Sequence, residues 1–301
     1  MNRVLVTKGQ GNFEEQEFQI AKLTANDILV KSIMTGVCRS DIDMMTGTFG
    51  PLPIDMQGHE GLGQVISIGN DVEDVQVGDY VATRGEPAYA DIYIARNSEY
   101  VRVPQAEPKY IIEPVACGMN LIYQPYHDIL KRSGPGRRLC IIGSGFLAWV
   151  AYHTIKLMNL DFEIDVIGSS NQDIWSSTTV LLKDNLPFSQ YDVIIDLGSN
   201  TMVFDKTILK QEGLLVLGAQ KTVTTDFSQF IWGAASIVFP SPRYKDFYTC
   251  MSDAVYYIQT GKLNVDKFWT KGYNRDTEWQ QAFADGVNRP KNYSRGYIYW
   301  N

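Results

Sequence analysis

Short apolar runs separated by turn residues fill the first third of the chain. They lie within residues 27–38, 60–69, 77–85 and 89–97 and are punctuated by Gly, Asp and Asn. Short, evenly spaced runs of this kind are typical of β-strands. The pattern therefore predicts a compact β-rich domain over residues 1–120.

A helical pattern occupies residues 113–132, where apolar side chains recur at the spacing of one helix face. Pro125 lies inside this stretch. A proline in a helix interior removes a hydrogen bond and clashes with the preceding turn. We therefore predict a helix that Pro125 kinks or divides.

From Arg137 onward, strand and helix patterns alternate. The buried run 139–142 is followed by a helical pattern over 147–160, and further apolar runs end in glycine within 191–198 and 212–219. Strands that alternate with helices indicate βαβ units and a doubly wound parallel sheet. We predict an α/β domain that begins at residue 121 and ends near 264, where the texture becomes mixed again.

Composition and charge exclude several classes of protein. The chain has 301 residues, of which 45% are hydrophobic, and its formal charge is 27 − 34 = −7. This balance disfavours nucleic-acid and anionic-membrane partners, which require clustered Lys and Arg. The first residues lack the apolar run of a signal peptide, and four cysteines are too few for a disulfide framework. We expect a soluble, cytoplasmic protein.

A glycine-rich turn follows the strand predicted at 139–142. Gly143, Gly145 and Ala148 form the pattern G-x-G-x-x-A, and a helical pattern comes directly after it. In this fingerprint the glycines allow a tight turn and a close approach to a pyrophosphate at the helix N-terminus. The three residues are therefore candidates for binding a dinucleotide cofactor.

The second half of that fingerprint is missing. An acidic residue about 20 positions further on normally binds the adenosine ribose of NAD. Here the next predicted strand ends in Gly168, Ser169, Ser170 and Asn171, while Asp165 lies inside the strand and is interpreted as a packing position. Ser169 and its neighbours leave room for a 2′-phosphate but supply no positive charge. The sequence therefore does not decide between NAD and NADP as the cofactor.

Of the three histidines, only His59 has a distinctive context. His127 and His153 lie in helical patterns without Cys, His or acidic residues at metal-ligand spacing. His59 stands in Gly-His-Glu before a predicted strand, and Cys38 precedes it by 59 − 38 = 21 residues. One Cys and one His at this spacing do not by themselves define a metal site.

The surrounding motifs do resemble a known family. The segments GVCRSDID and MQGHEGLGQVISIGNDVEDVQVGDYVA, followed by the G-x-G-x-x-A turn, are similar to zinc-dependent medium-chain dehydrogenases, the alcohol and polyol dehydrogenases. The resemblance implies a GroES-like β-rich catalytic domain over residues 1–120, completed by 265–301, and a Rossmann domain over 121–264. It also implies an active site in the cleft between them.

The resemblance implies one catalytic zinc. Cys38 and His59 match the first two ligands, and the segment IIEPVACG resembles the polyol branch, which makes Glu113 the expected third ligand and Cys117 a buried small residue. Glu60 is a possible exchangeable fourth ligand. A thiolate, an imidazole and a carboxylate with one open position are typical of catalytic zinc.

Other matching positions suggest roles around the metal. Asp41 matches the carboxylate that orients the histidine ligand. Ser40 matches the hydroxyl that starts a proton relay, whereas Asp43 stands where many relatives place the histidine that ends it. Arg39 and Arg295 match arginines that contact the cofactor pyrophosphate; solvated surface arginines are the alternative.

Two further expectations follow from the resemblance. Only residues 82–88 separate the V-G-D-x-V string from the next predicted strand, and they contain no cysteine. The lobe that holds a structural zinc in many relatives is therefore expected to be missing. Pairing through the Rossmann edge strand, for which residues 235–241 are the candidate, predicts a homodimer or homotetramer.

The expected activity is hydride transfer between an alcohol or carbonyl substrate and NAD or NADP. A sugar, polyol or cyclitol is favoured by Glu113 and by the hydroxyls of Thr46 and Thr48 beside Phe49. Two alternatives stay open: a zinc-free quinone or enone reductase of the same superfamily, and a non-catalytic cofactor-binding protein. A further alternative is an apolar pocket lined by neighbouring side chains, namely Met44, Met45, Leu52 and Ile54.

Overall fold

The structure, a computed structural model, describes residues 2–49, 57–85, 87–178, 182–183, 191–198, 202–205, 208–220 and 224–301. The strands in this part of the chain are β1 (Arg3–Val6), β2 (Glu14–Glu17), β3 (Ile28–Gly36), β4 (Glu60–Ile68), β5 (Tyr80–Arg84), β6 (Ile92–Ala95), β7 (Tyr100–Val103), β8 (Arg138–Ile142), β9 (Glu163–Ile167), β10 (Leu182–Lys183), β11 (Tyr191–Asp196), β12 (Leu209–Leu217), β13 (Ser236–Val238), β14 (Trp269–Asn274) and β15 (Arg295–Tyr299). The helices are α1 (Arg39–Met45), α2 (Glu113–Tyr123), α3 (Tyr126–Leu130), α4 (Phe146–Leu157), α5 (Gln172–Trp175), α6 (Met202–Asp205), α7 (Ser228–Trp232), α8 (Phe247–Gln259) and α9 (Trp279–Asn288).

The chain divides into two compact units. The first consists of Met1–Val115 and Met251–Asn301, and the second of Ala116–Cys250. Both divisions fall inside a helix, α2 and α8 respectively. The sequence pattern places these junctions further along, near 120 and 264, because a continuous helix carries no turn signal at the point of division.

A seven-stranded sheet organises the first unit. Its strand order is β14-β15-β3-β4-β5-β7, with β6 also paired to β3, while β1 and β2 form a separate antiparallel pair. Alternate residues of β3, such as Ile28 and Val30, are fully buried against Val81 and Tyr93, as expected for a sheet with one face on the core. The C-terminal segment supplies β14 and β15, so residues far apart in the chain share one sheet.

A six-stranded parallel sheet organises the second unit. Its order is β10-β9-β8-β11-β12-β13, and every pairing is parallel. Numbered within the sheet, this is the order 3-2-1-4-5-6 of dinucleotide-binding domains. The predicted fold class, a β-rich domain with a doubly wound α/β domain, is confirmed.

The predicted break at Pro125 is also confirmed. Helix α2 ends at Tyr123, and Pro125 is the N-cap of α3, which begins at Tyr126. Among the helices of the described residues, none combines the length and the apolar character needed to cross a membrane.

Candidate active site

Three strand ends meet at one corner of the first unit. Strands β3 and β4 are antiparallel with Thr35 opposite Gly61, so the end of β3 lies beside the start of β4. Strand β15 is antiparallel to β3 with Tyr297 opposite Gly36, which adds the start of β15. The residues that this register brings together are Cys38, His59, Glu60 and Arg295.

Cys38, His59 and Glu60 form a group of side chains that could hold a metal ion. Their ligand atoms all lie within 4.8 Å of one another. Tetrahedral zinc, with metal–ligand distances of about 2.0–2.3 Å, needs donor atoms roughly 3.3–3.8 Å apart. Among the described residues, this is the one set of three or more such side chains, and we call it the donor cluster.

Asp41 lies behind His59. Its Oδ1 is 3.5 Å from His59 Nδ1, and its side chain is fully buried. His59 Nε2 is on the other side of the ring, 3.4 Å from the Ser40 hydroxyl, and the His59 ligand atom lies within 4.8 Å of the Cys38 sulfur. A carboxylate at one ring nitrogen leaves the other available as a ligand, which is the usual arrangement at metal sites.

Burial and neighbouring charges shift the pKa values of the side chains in and around the donor cluster. Burial raises the pKa of the Cys38 thiol, and the Glu60 carboxylate raises it further. Burial also raises the pKa of Asp41, although His59 opposes this shift. Burial lowers the pKa of His59, but Asp41 and Cys38 outweigh it, so that this pKa lies well above 6.5. Acidic groups gathered around one imidazole favour a bound cation.

Glu60 also forms a buried ion pair with Arg295. Arg295 Nη2 donates to Glu60 Oε1 at 2.6 Å and contacts Oε2 as well. Burial lowers the pKa of Arg295, but Glu60 and Cys38 more than offset this, so the pKa is raised. Gly36 makes room for the pair, because a Cβ there would collide with the Glu60 carboxylate. The structure thus places Arg295 against Glu60.

Glu113 is the first residue of α2 and is buried. Its charge raises the pKa of both His59 and Arg295, so the carboxylate acts on the same corner of the first unit. The group of donor atoms within 4.8 Å, as found in the described residues, nevertheless contains Glu60 and not Glu113.

The predicted relay residues lie on α1. Ser40 is beside the donor cluster, whereas Asp43 Oδ1 accepts a hydrogen bond from Arg39 Nε at 2.9 Å near the surface. Arg39 is the more exposed partner, with 62% of its side chain accessible. Arg39 and Asp43 therefore form an ordinary i,i+4 pair, which contributes about 0.3–0.5 kcal/mol on a helix surface.

The hydroxyls of Thr46 and Thr48 bond to the C-terminal end of α1. Thr46 Oγ1 donates to the Ile42 carbonyl at 3.0 Å, and Thr48 Oγ1 donates to the Asp43 carbonyl at 3.2 Å. Backbone carbonyls therefore compete with any substrate for these two donors. Of the alternative apolar lining, Met44 and Met45 are buried, whereas Leu52 and Ile54 lie outside the described residues.

The predicted dinucleotide-binding turn connects β8 to α4. Gly143 has a φ of +119°, in the region that favours glycine. Gly145 is the N-cap of α4, and a Cβ added there would meet nothing within 4 Å. Ala148 is buried on α4. Open space beside a helix N-terminus fits a pyrophosphate, which the helix N–H groups and dipole stabilise.

The structure gives a steric reason for glycine at position 168, the first residue after β9. A Cβ added at Gly168 would lie 2.5 Å from Ser144 Oγ and 2.9 Å from the Ser144 backbone nitrogen, so no side chain fits there. Ser144 itself is fixed by the Ser170 hydroxyl at 2.9 Å and by the Trp175 indole, which donates to its carbonyl at 3.0 Å. Ser169 is exposed at the strand tip.

Asp165 is a packing residue, as the sequence suggests. Arg138 Nη2 donates to its carboxylate at 2.7 Å, and the Tyr191 hydroxyl donates to it at 2.8 Å. Arg138 lies on the neighbouring strand β8 and Tyr191 on β11, the next strand beyond it, so Asp165 links three strands of the sheet.

Sequence reasoning missed Tyr89. Its hydroxyl donates to Asp41 Oδ2 at 2.8 Å, and the side chain is fully buried. The segment that contains Tyr89 shows only a strand pattern, which gives no sign that the hydroxyl reaches a carboxylate 48 residues earlier.

The chain is similar to known alcohol and polyol dehydrogenases. Residues 24–108 match the alcohol dehydrogenase GroES-like domain. The chain is 24% identical to D-arabinitol dehydrogenase 1 of Uromyces fabae, with 88% of each chain covered, and 24% identical to D-arabitol-phosphate dehydrogenase of Enterococcus avium, with 92% of each covered. An alcohol dehydrogenase structure from Escherichia coli CFT073 in complex with NADH superimposes with a TM-score of 0.80 at 14% identity over 99% of both chains.

Residues 24–108 therefore match the GroES-like domain of alcohol dehydrogenases, and most of the chain is similar in sequence to polyol dehydrogenases.

Proposed function

We propose that the protein is an oxidoreductase that transfers hydride between a secondary alcohol and a nicotinamide cofactor. The observation that carries this proposal is the donor cluster with Asp41 behind it, in a chain that also has a dinucleotide-binding turn. A thiolate, an imidazole and a carboxylate are the usual donors of catalytic zinc, so these side chains fit that metal.

Cys38, His59 and Glu113 are the proposed ligands of one zinc ion, with Glu60 as the exchangeable fourth donor. When bound, zinc supplies a Lewis acid that polarises the substrate oxygen. Asp41 supports this role because its carboxylate faces His59 Nδ1 and leaves Nε2 for the metal.

Ser40 is the proposed first acceptor of the substrate proton. Its hydroxyl lies 3.4 Å from His59 Nε2, at the edge of the donor cluster, where a substrate hydroxyl would lose its proton as hydride leaves the adjoining carbon. Asp43, one helical turn further along α1, is the proposed solvent end of the relay. Its carboxylate is 24% exposed, which gives it access to solvent, and it pairs with Arg39 at 2.9 Å.

The cofactor-binding residues proposed in the second unit are Gly143, Gly145, Ala148 and Ser169. Arg39 and Arg295 are also proposed to contact the cofactor pyrophosphate, since an arginine fork matches phosphate oxygens, although Arg295 pairs with Glu60 in this structure. When bound, the nicotinamide cofactor accepts or supplies the hydride.

A polyhydroxylated secondary alcohol is the proposed substrate class. A carboxylate ligand makes the metal site harder than a second thiolate would. The relatives named above act on arabinitol and on arabitol phosphate, which points in the same direction. Thr46 and Thr48 add little to this argument because their hydroxyls are bonded to the end of α1.

We expect zinc-loaded enzyme to oxidise polyols better than simple alcohols. In a panel of sugars, linear polyols, their phosphates, cyclitols, ethanol and benzyl alcohol, the best polyhydroxylated substrate should exceed ethanol in kcat/KM by at least roughly 10-fold, or about 1.4 kcal/mol. Cofactor reduction followed at 340 nm measures this. A clear preference for ethanol or benzyl alcohol would contradict the proposed substrate class.

Cofactor choice should depend on Ser169. Because residues 168–171 at the tip of β9 include no acidic residue, we expect NAD and NADP to differ in kcat/KM by less than about 100-fold, or roughly 2.7 kcal/mol. Ser169→Asp should favour NAD by about 10-fold or more relative to wild type, since a carboxylate repels the 2′-phosphate. Ser169→Asn is the uncharged control. An unchanged cofactor ratio in Ser169→Asp would place the ribose elsewhere.

Metal content separates this proposal from its two alternatives. Neither a zinc-free quinone or enone reductase nor a non-catalytic cofactor-binding protein needs the metal-binding side chains of the donor cluster. Both alternatives predict no stoichiometric zinc. The donor cluster favours the zinc-dependent enzyme.

The proposed oligomer is a dimer or tetramer that pairs through β13. This strand ends the parallel sheet of the described residues, and Ile231, Trp232 and Phe239 beside it are 73%, 85% and 67% exposed. An open edge flanked by exposed apolar side chains favours association. Light scattering at micromolar concentration should give at least twice the chain mass of 34.0 kDa.

Charge at the apolar patch should weaken this association. Trp232→Asp should lower the mass towards a single chain, whereas Tyr256→Asp, at an exposed aromatic on α8, should not. A wild-type particle of 34.0 kDa at micromolar concentration would rule out the oligomer.

A further inference from the structure

The buried residue Tyr89 contacts the carboxylate behind the proposed metal ligands. Its hydroxyl donates to Asp41 Oδ2 at 2.8 Å and lies 3.2 Å from the Gly36 carbonyl oxygen. Both side chains are fully buried. Burial and the Asp41 carboxylate hold the pKa of Tyr89 well above 10.0, so the hydroxyl remains a hydrogen-bond donor.

The two oxygens of Asp41 have different partners. Oδ2 accepts from the Cys38 backbone N–H at 2.9 Å and from Tyr89, whereas Oδ1 faces His59 Nδ1 at 3.5 Å. A carboxylate with one oxygen held by two donors cannot rotate without breaking both hydrogen bonds. Tyr89 therefore fixes the direction in which the other oxygen faces the imidazole.

Tyr89 also contacts the segment that leads into His59. Its backbone N–H donates to the Gln57 carbonyl at 3.2 Å, and Ala88 N–H donates to the Gly58 carbonyl at 2.8 Å. Gly58 has a φ of +87°, and a Cβ there would lie 2.6 Å from the Tyr89 nitrogen. The backbone of Tyr89 thus constrains the approach to His59, while its hydroxyl constrains the carboxylate behind it.

We propose that Tyr89 is a positioning residue of the metal site, which acts through Asp41 to set the orientation of His59. The inference rests on the proposed zinc-binding function. It predicts that the Tyr89 hydroxyl, which is two contacts away from the donor cluster, contributes to zinc affinity.

Tyr89→Phe tests this inference with a minimal change. The ring packing against Phe13 and Phe283 is retained, at centroid distances of 5.9 and 5.5 Å, and only the hydroxyl is lost. Losing an outer partner of a metal ligand typically weakens metal binding by about 10- to 100-fold. Because Tyr89 acts through Asp41, we expect a loss near 10-fold, measured by competition between the full-length protein and a chromophoric zinc chelator.

Tyr93→Phe is the matched control. Tyr93 is equally buried in the same unit, and its hydroxyl contacts Thr83 Oγ1 at 2.6 Å instead of the Asp41 carboxylate. This variant also loses one buried hydroxyl, so it should lose comparable stability while its zinc affinity changes by less than about twofold.

A double-mutant cycle with Asp41→Asn tests the route through Asp41. Tyr89→Phe should cost about 10-fold in the wild-type background but less than about twofold in Asp41→Asn. Wild-type zinc affinity in Tyr89→Phe, an equal loss in Tyr93→Phe, or an undiminished cost in Asp41→Asn would overturn the inference alone. A wild-type protein that binds no zinc would overturn the proposed metal site and this inference with it.

Discussion

Replacing Cys38 with serine should abolish turnover and leave the protein folded. A serine hydroxyl is a far weaker zinc ligand than a thiolate, so the proposed zinc site would lose its Lewis acid. We expect kcat/KM to fall by at least roughly 10³-fold, which corresponds to about 4 kcal/mol of transition-state stabilisation. Activity on the best polyhydroxylated substrate, with zinc content measured in the same preparation, gives the result.

We expect Cys38→Ser to fold normally because of its position at the start of α1. Cys38 is half-buried and is the N-cap of α1, where serine is among the preferred residues. The thermal midpoint of the metal-free protein should therefore stay within a few degrees of wild type. Cys117→Ser is the matched control, since Cys117 is also half-buried and is not in the donor cluster. Equal losses of activity in both variants would show that Cys38 has no special role.

Glu60→Gln should destabilise the protein far more than an equivalent change at the surface. The Glu60 carboxylate is fully buried, and its partner Arg295 is only 12% exposed. Removing one partner of a buried pair leaves an uncompensated charge, which typically costs 3–5 kcal/mol. We expect about 3 kcal/mol from urea unfolding of the metal-free protein, because Cys38 and Glu113 still favour the guanidinium charge.

Asp43→Asn is the control for that prediction. It also neutralises an acidic partner of an arginine, but Arg39 is 62% exposed, so the pair contributes less than about 1 kcal/mol. An equal loss of unfolding free energy in both variants would show that the buried Glu60–Arg295 pair stabilises the protein no more than the surface pair does.

The fold could be predicted from local patterns because each element carries its own signal. The alternation of apolar and turn residues predicted β3 and β4, and the position of Pro125 predicted the gap between α2 and α3. Strands that alternate with helices predicted the parallel sheet. The order of the strands within each sheet is visible only in the structure, because the pairing of strands that are far apart in sequence does not show in local sequence patterns.

The candidate site was predictable only in part. Cys38 and His59 stand out through the motifs around them, which are continuous in sequence. The pairing of Glu60 with Arg295 joins residues 235 positions apart, and a motif that matches either residue alone does not reveal it. The sequence shows that residue 168 is a glycine but not why, because the reason is the close approach of Ser144 from the neighbouring turn.

The zinc content of the purified wild-type chain tests the central claim most directly. Elemental analysis of protein prepared without chelators should give one zinc per 34.0 kDa chain, and Cys38→Ser prepared in parallel should contain almost none. One zinc that disappears with the thiolate is the result expected from the Cys38–His59 site. No zinc in the wild type, or two zinc ions per chain, would contradict the account.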